Sequence, residues 1–208
     1  IDGLSRQRLD KVYIKNDNKL VVADWDTALN KIKDELNKRG KEKTITLSGK
    51  FTDAETIIAS KLFLDGLGSS LYDCRFDNAQ IIHNESESYK FNSSIQEIEN
   101  ADAILLVGSN PRWEASVLNA RIRKAYINNN CKVGVIGPDL DLNYPYTKIS
   151  NCLSGLNDIK EKKSEFSNIF HNSKNPLIII GTSAINNSEG ASVLKLCADI
   201  AKKLHNYS

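Results

Sequence analysis

The 208-residue sequence predicts a doubly wound α/β fold, built on a mostly parallel sheet and entered through a short N-terminal β-hairpin. Three observations carry that expectation. Apolar strand-like runs repeatedly end in glycine-containing turns and pass into helix-patterned segments, which is how βαβ units are written. One of those runs, Ala103–Val107, is apolar without alternation, as a strand covered on both faces must be. Near the N-terminus, Lys11–Ile14 and Leu20–Ala23 flank Asn16-Asp17-Asn18, residue types that tolerate the left-handed backbone of a tight hairpin turn.

Along the chain each element has a local reason. After the hairpin, Asp24 can cap a helix whose apolar positions Trp25, Ala28, Leu29, Ile32 and Leu36 follow the 3.6-residue period. Thr44–Leu47 is a strand ending at Ser48-Gly49, and Thr52-x-x-Glu55 has the form of a capping box opening a helix to about Leu67. Ser69–Tyr72 is a short strand. Ser94-x-x-Glu97 caps a brief helix ahead of the Ala103–Val107 strand. A helix from Arg112 to about Asn128 follows, then a Lys132–Ile136 strand ending at Gly137-Pro138. Leu177–Ile180 ends at Gly181-Thr182 and precedes a helix from Ser188 to Leu204. Two polar, irregular stretches, Arg75–Phe91 and Asp139–Asn157, are expected to be loops leaving the carboxyl ends of strands. The division expected is a hairpin segment over 1–23 and a Rossmann-like α/β domain over 24–208.

Composition narrows the function classes. A net charge of +2 provides no basic field for nucleic acid or for an anionic membrane surface. The longest apolar runs are far too short to span a bilayer. Because the chain opens on Ile1 and contains no Met, its natural N-terminus is expected to lie elsewhere, so no targeting segment can be read. Cys74, Cys131, Cys152 and Cys197 have none of the close spacings of zinc or iron–sulfur ligands, and are expected to be free, mostly buried thiols. His83, His171 and His205 lie far apart and suggest neither a triad nor a metal site. There is no G-x-G-x-x-G and no Walker loop.

The chemistry-bearing stretch is the turn after Ala103–Val107. In open α/β sheets ligands bind beyond the carboxyl ends of the strands. Gly108 permits the turn and close approach of a ligand, while Asn110 and the free amides of the following helical turn could hold an anion. The same Gly-Ser-Asn-Pro is equally ordinary turn and cap chemistry. Arg112, in the first helical turn, sits where the helix dipole disfavours a cation, which calls for a carboxylate partner inside the chain or on a neighbouring subunit.

A resemblance resolves this. Gly108-Ser109-Asn110-Pro111-Arg112, then Glu114-Ala115, then Asn119-Ala120-Arg121-Ile122-Arg123-Lys124-Ala125 resembles the family of large iron–sulfur subunits of respiratory complex I, NADH:ubiquinone oxidoreductase, in its C-terminal half. That half is of the molybdopterin oxidoreductase type shared with formate dehydrogenase and DMSO reductase. Asp2–Leu9, Trp25-Asp26-Thr27-Ala28-Leu29, Thr52-Asp53-Ala54-Glu55, Asp73-Cys74-Arg75, Lys132–Gly137 and Asn175-Pro176-Leu177 through Ala184 fall in the family's order.

The resemblance implies a partial molybdopterin-oxidoreductase-like domain and a non-catalytic structural role in the NADH-dehydrogenase module. Catalytic and metal-ligating residues would then be none, and Gly108, Ser109 and Asn110 a vestigial cofactor turn. In cofactor-binding relatives that turn contacts the dinucleotide end of a pterin and continues into a His-Pro pair; here those positions are Ala115 and Ser116. The metal ligand of those enzymes follows the second strand, whereas Cys74 matches a position upstream of it. Iron–sulfur clusters and FMN are expected elsewhere in the complex. The implied partners are other peripheral-arm subunits, including the cluster-bearing N-terminal half of the large iron–sulfur subunit and the NADH- and flavin-binding subunits, with Arg112 as candidate contact. No nucleic acid and no direct membrane insertion are expected. The implied location is the matrix side of the mitochondrial inner membrane, or the cytoplasmic face of a bacterial inner membrane. Two other readings stand beside it: a fragment of an active molybdopterin oxidoreductase such as formate dehydrogenase, and a nucleotide-binding α/β module.

Overall fold

The computed structural model describes residues 9–74, 78–82 and 84–205. Two compact units divide it, 1–76 and 77–208. The sequence expectation placed its division at 23/24, within the first of these.

In the first unit, β1 (Val12–Asn16) and β2 (Lys19–Ala23) pair antiparallel, with Asn16 opposite Lys19. The connection is the expected tight turn, and both Asp17 and Asn18 adopt positive φ. Helix α1 (Trp25–Arg39) is capped by Asp24, whose carboxylate accepts from the Thr27 amide at 2.7 Å. That bond, with a second from the Thr27 hydroxyl, holds the Asp24 carboxyl below its ordinary value. Two-residue strands β3 (Thr46–Leu47) and β4 (Tyr72–Asp73) pair in parallel around α2 (Ala54–Leu67). The cap of α2 corrects the sequence reading. Asp53, not Thr52, is the N-cap, accepting from the Thr56 amide at 2.8 Å, because an aspartate carboxylate reaches the free amides of the first turn directly.

The second unit contains a four-stranded, all-parallel sheet in the order β7-β6-β5-β8. Its strands are β5 (Ala103–Val107), β6 (Lys132–Ile136), β7 (Thr147–Ser150) and β8 (Pro176–Ile180). Strand β5 lies between β6 and β8 with all five residues fully buried, as its unbroken apolar run requires. Ala103, Leu105 and Val107 face one layer, formed by α5 (Gly155–Lys160), α6 (Glu165–His171), α7 (Thr182–Ile185) and α8 (Gly190–His205). Ile104 and Leu106 face the other, formed by α4 (Ser116–Asn129), the short 3-10 turn Glu97–Asn100 and Tyr144. Helices on both faces make the sheet doubly wound.

Three departures from the sequence reading have local causes. The helix expected from Arg112 is broken: α3 (Pro111–Glu114) and α4 are separated at Ala115, whose φ of −150° and ψ of 68° are not helical. The Asp139–Asn157 stretch holds strand β7, an edge strand whose Thr-Lys-Ile-Ser sequence has a single large apolar residue. Helices α5 and α6 were not foreseen because each is shorter than two full turns. The Ser94 and Glu97 pair does close reciprocally, Ser94 amide to Glu97 carboxylate at 2.8 Å and Glu97 amide to Ser94 hydroxyl at 3.1 Å.

Candidate functional site

In the order β7-β6-β5-β8 the chain runs outward from β5 through β6 to β7, then returns to the other side of β5 as β8. The strand order therefore reverses between β5 and β8. In open parallel sheets the crevice at such a reversal, beyond the carboxyl ends of the strands, is where ligands bind. The turn Gly108-Ser109-Asn110 leaves β5 at this point, and Gly181-Thr182-Ser183 leaves β8 beside it.

Here the chain itself fills the crevice. Gly108 has φ +55°, and a Cβ on it would come within 2.8 Å of the Ala184 Cβ and 2.9 Å of the Ala184 amide. A Cβ on Gly181 would lie 2.1 Å from the Gly108 carbonyl oxygen. The two glycines thus let two turns of one chain close on each other. The Ser183 hydroxyl also donates to the Gly108 carbonyl, and the Gly181 amide donates to the Val107 carbonyl at 2.9 Å. The approach that Gly108 was expected to offer a ligand is taken by the β8 turn.

Two donors of the turn are also engaged. Glu114 curls back from the end of α3, its carboxylate accepting from the Ser109 hydroxyl at 3.0 Å and from the Asn110 amide at 3.1 Å. The Asn110 carbonyl accepts in turn from the Trp113 and Glu114 amides at 3.1 and 2.9 Å, so Asn110 caps α3 through its backbone. Its side-chain Oδ1 is buried without a hydrogen-bond partner.

Arg112 finds the carboxylate its position called for within the chain. Its guanidinium pairs with the Asp141 carboxylate at 2.5 Å and donates to the Asp141 carbonyl at 2.9 Å, while remaining 38% exposed. On α4, Arg121 and Lys124 both reach Glu99, and although partial burial opposes it, these two cations hold the Glu99 carboxyl below its ordinary range. Asn119, buried on the same helix, accepts from the Tyr144 hydroxyl at 2.7 Å. The Asn-Ala-Arg-Ile-Arg-Lys stretch therefore fastens α4 to the Glu97–Asn100 turn and to the 139–146 loop.

All four cysteines are free; Cys131 and Cys197 are buried and Cys74 and Cys152 exposed, so two are buried where most were expected to be. Desolvation pushes the Cys131 and Cys197 thiols up to about 12, with Asp102 adding to the effect at Cys131, which makes both poor nucleophiles. Cys74 lies just beyond β4 in the first unit. Among the described residues no three His, Cys, Asp or Glu side chains gather as a metal site. His83 lies outside the described residues, and the His171 ring bonds the Ile159 carbonyl at 2.9 Å. Glu114, Ser183 and the pairing of Gly108 with Gly181 were missed from sequence. The adjacency of β5 and β8, which pairing order alone reveals, brings Ser183 and Gly181 to Gly108, while Glu114 reaches Ser109 and Asn110 locally because α3 ends at Ala115.

Comparison with known proteins agrees with this architecture. The molybdopterin oxidoreductase family profile matches residues 8–208. The chain is 35% identical over 202 residues, 97% of its length, to the mitochondrial NADH dehydrogenase [ubiquinone] iron-sulfur protein 1 of Solanum tuberosum. It is 33% identical over its whole length to the mitochondrial NADH-ubiquinone oxidoreductase 78 kDa subunit of Candida albicans. It is 34% identical over 97% of its length to the NADH-ubiquinone oxidoreductase 75 kDa subunit of Reclinomonas americana. The chain spans 27%, 29% and 31% of those three proteins respectively.

Proposed function

Because this chain belongs to the molybdopterin oxidoreductase family, we propose that it is a non-catalytic structural part of the NADH-dehydrogenase module of respiratory complex I. In that role it supports electron transfer from NADH to ubiquinone without taking part in either reaction. The observation that carries the reading is the likeness, along essentially the whole chain, to three proteins named as NADH-ubiquinone oxidoreductase subunits. The crevice between β5 and β8 supports it from the physical side, since the groups that would meet a ligand there already meet the chain itself.

Iron–sulfur clusters and FMN belong, in this reading, to neighbouring parts of the assembly, and this chain carries neither. Its partners are the cluster-bearing N-terminal half of the large iron–sulfur subunit and the NADH- and flavin-binding subunits. Its place is the matrix side of the mitochondrial inner membrane. Among the described residues no helix is long and apolar enough to cross a membrane, so attachment would run through the other subunits. Arg112 is the proposed contact, its partly exposed guanidinium beside the more exposed Asp141 carboxylate.

The test separates shape from chemistry. With Arg112→Ala in the full complex, the amount of assembled complex should fall while NADH oxidation per assembled complex stays nearly unchanged. Normal assembly with collapsed turnover per complex would place Arg112 in the chemistry and defeat the proposal.

A further inference from the structure

The family to which the chain belongs is named for a pterin-borne metal cofactor, and the residues present do not fit that group. At the strand-order reversal, the Ser109 hydroxyl and the Asn110 amide, the donors an anionic group would need, both point at Glu114. The space next to Gly108 is taken by Ala184 and Ser183, at separations that leave no room even for a methyl group.

We infer that the crest between β5 and β8 is a self-closed latch, in which Glu114 and Ser183 occupy from within the groups a bound cofactor would otherwise engage. Glu114 is the chain's own anion: it offers two oxygens to two donors, the arrangement in which hydrogen bonds to a charged acceptor are strongest. Ser183 ties the β8 turn to the Gly108 carbonyl of the β5 turn. The latch gives the Gly-Ser-Asn-Pro turn a purpose without a ligand, since it fixes the carboxyl ends of the two strands on either side of the reversal. The inference goes beyond the proposed structural role by naming what replaces the cofactor in holding this part of the sheet.

Amide hydrogen exchange and chemical shifts in the full chain test it, with inorganic pyrophosphate as the anionic probe. In the wild-type chain, pyrophosphate at constant ionic strength should leave the Gly108, Ser109 and Asn110 amides unmoved. A saturable shift at those amides would overturn the inference. In Glu114→Ala the Asn110 amide should exchange about tenfold faster, the loss expected when a charged acceptor is removed. Glu114→Gln, which keeps an acceptor of the same length, should recover part of that protection and serves where the alanine variant folds poorly. Unchanged Asn110 exchange in both variants would equally overturn the latch. Either failure leaves the structural role in complex I standing, because that role is read from assembly and turnover.

Discussion

The two units of this chain follow the same strand, turn and helix pattern and reach opposite results. In the second unit the pattern is completed: four parallel strands, helices on both faces, and a central strand with no exposed side chain. In the first, β3 and β4 are two residues each, and α1 and α2 each bury one residue, Ala28 and Leu64. Trp25 at 69% exposure, Ile32 at 53% and Phe63 at 53% remain open to solvent. Amphipathic periodicity identifies which residues belong in a core, while the number and length of paired strands decide whether a core forms. Apolar faces left open in this way are the kind of surface that assemblies cover, in keeping with the role proposed above.

The largest expected effect contrasts one substitution in each unit. Leu106→Asp puts an unpaired charge against a fully buried layer, and should remove several kcal/mol of a stability of about 5–15 kcal/mol. Ile32→Asp, on the half-open face of α1, should leave the thermal unfolding of the second unit within experimental error. Circular dichroism melts decide it, and a folded Leu106→Asp chain with unchanged melting would refute the central position of β5.

Two glycines sharpen the contrast at intermediate size. Gly181→Ala drives a methyl group onto the Gly108 carbonyl, which as backbone cannot swing aside, and should cost about 1–3 kcal/mol. Gly66→Ala, within α2 and with nothing near its added methyl group, should be neutral or stabilising by up to about 1 kcal/mol. Urea titrations of the two variants should move in opposite directions; a harmless Gly181→Ala would mean that the crevice is open.

The smallest effect is one of acidity. Asp24 and Asp53 cap α1 and α2, and amide hydrogen bonds from Thr27 and Thr56 hold both carboxyls below their ordinary value of 3.8. Their contribution is therefore complete above that value and fades as pH falls through the lower folded-state values. Helix α6 of the second unit is capped by Ser164, which does not titrate. In an acid titration the Thr27 and Thr56 amide signals should shift before that of Ser167. Simultaneous movement of all three would erase this difference between the units.

The same physics explains what could be read from sequence. Strands β5 and β6 match their expected residues, and β8 begins one residue early at Pro176, since short, largely apolar runs closed by glycine leave few alternatives. Strand β7 escaped because an edge strand with three polar residues resembles a loop. Gly108, Ser109 and Asn110 were legible as a turn of consequence, but its occupant was not. Glu114 lies five residues beyond Ser109 and looks like any exposed helical glutamate until the break at Ala115 ends α3 there.

The central claim is that this chain retains the fold of its family without the chemistry. Molybdenum and tungsten content of the purified chain, measured by elemental analysis together with pterin fluorescence after oxidation, tests it most directly. The account predicts neither metal nor pterin above background. A stoichiometric signal for either metal, accompanied by a pterin, would contradict it.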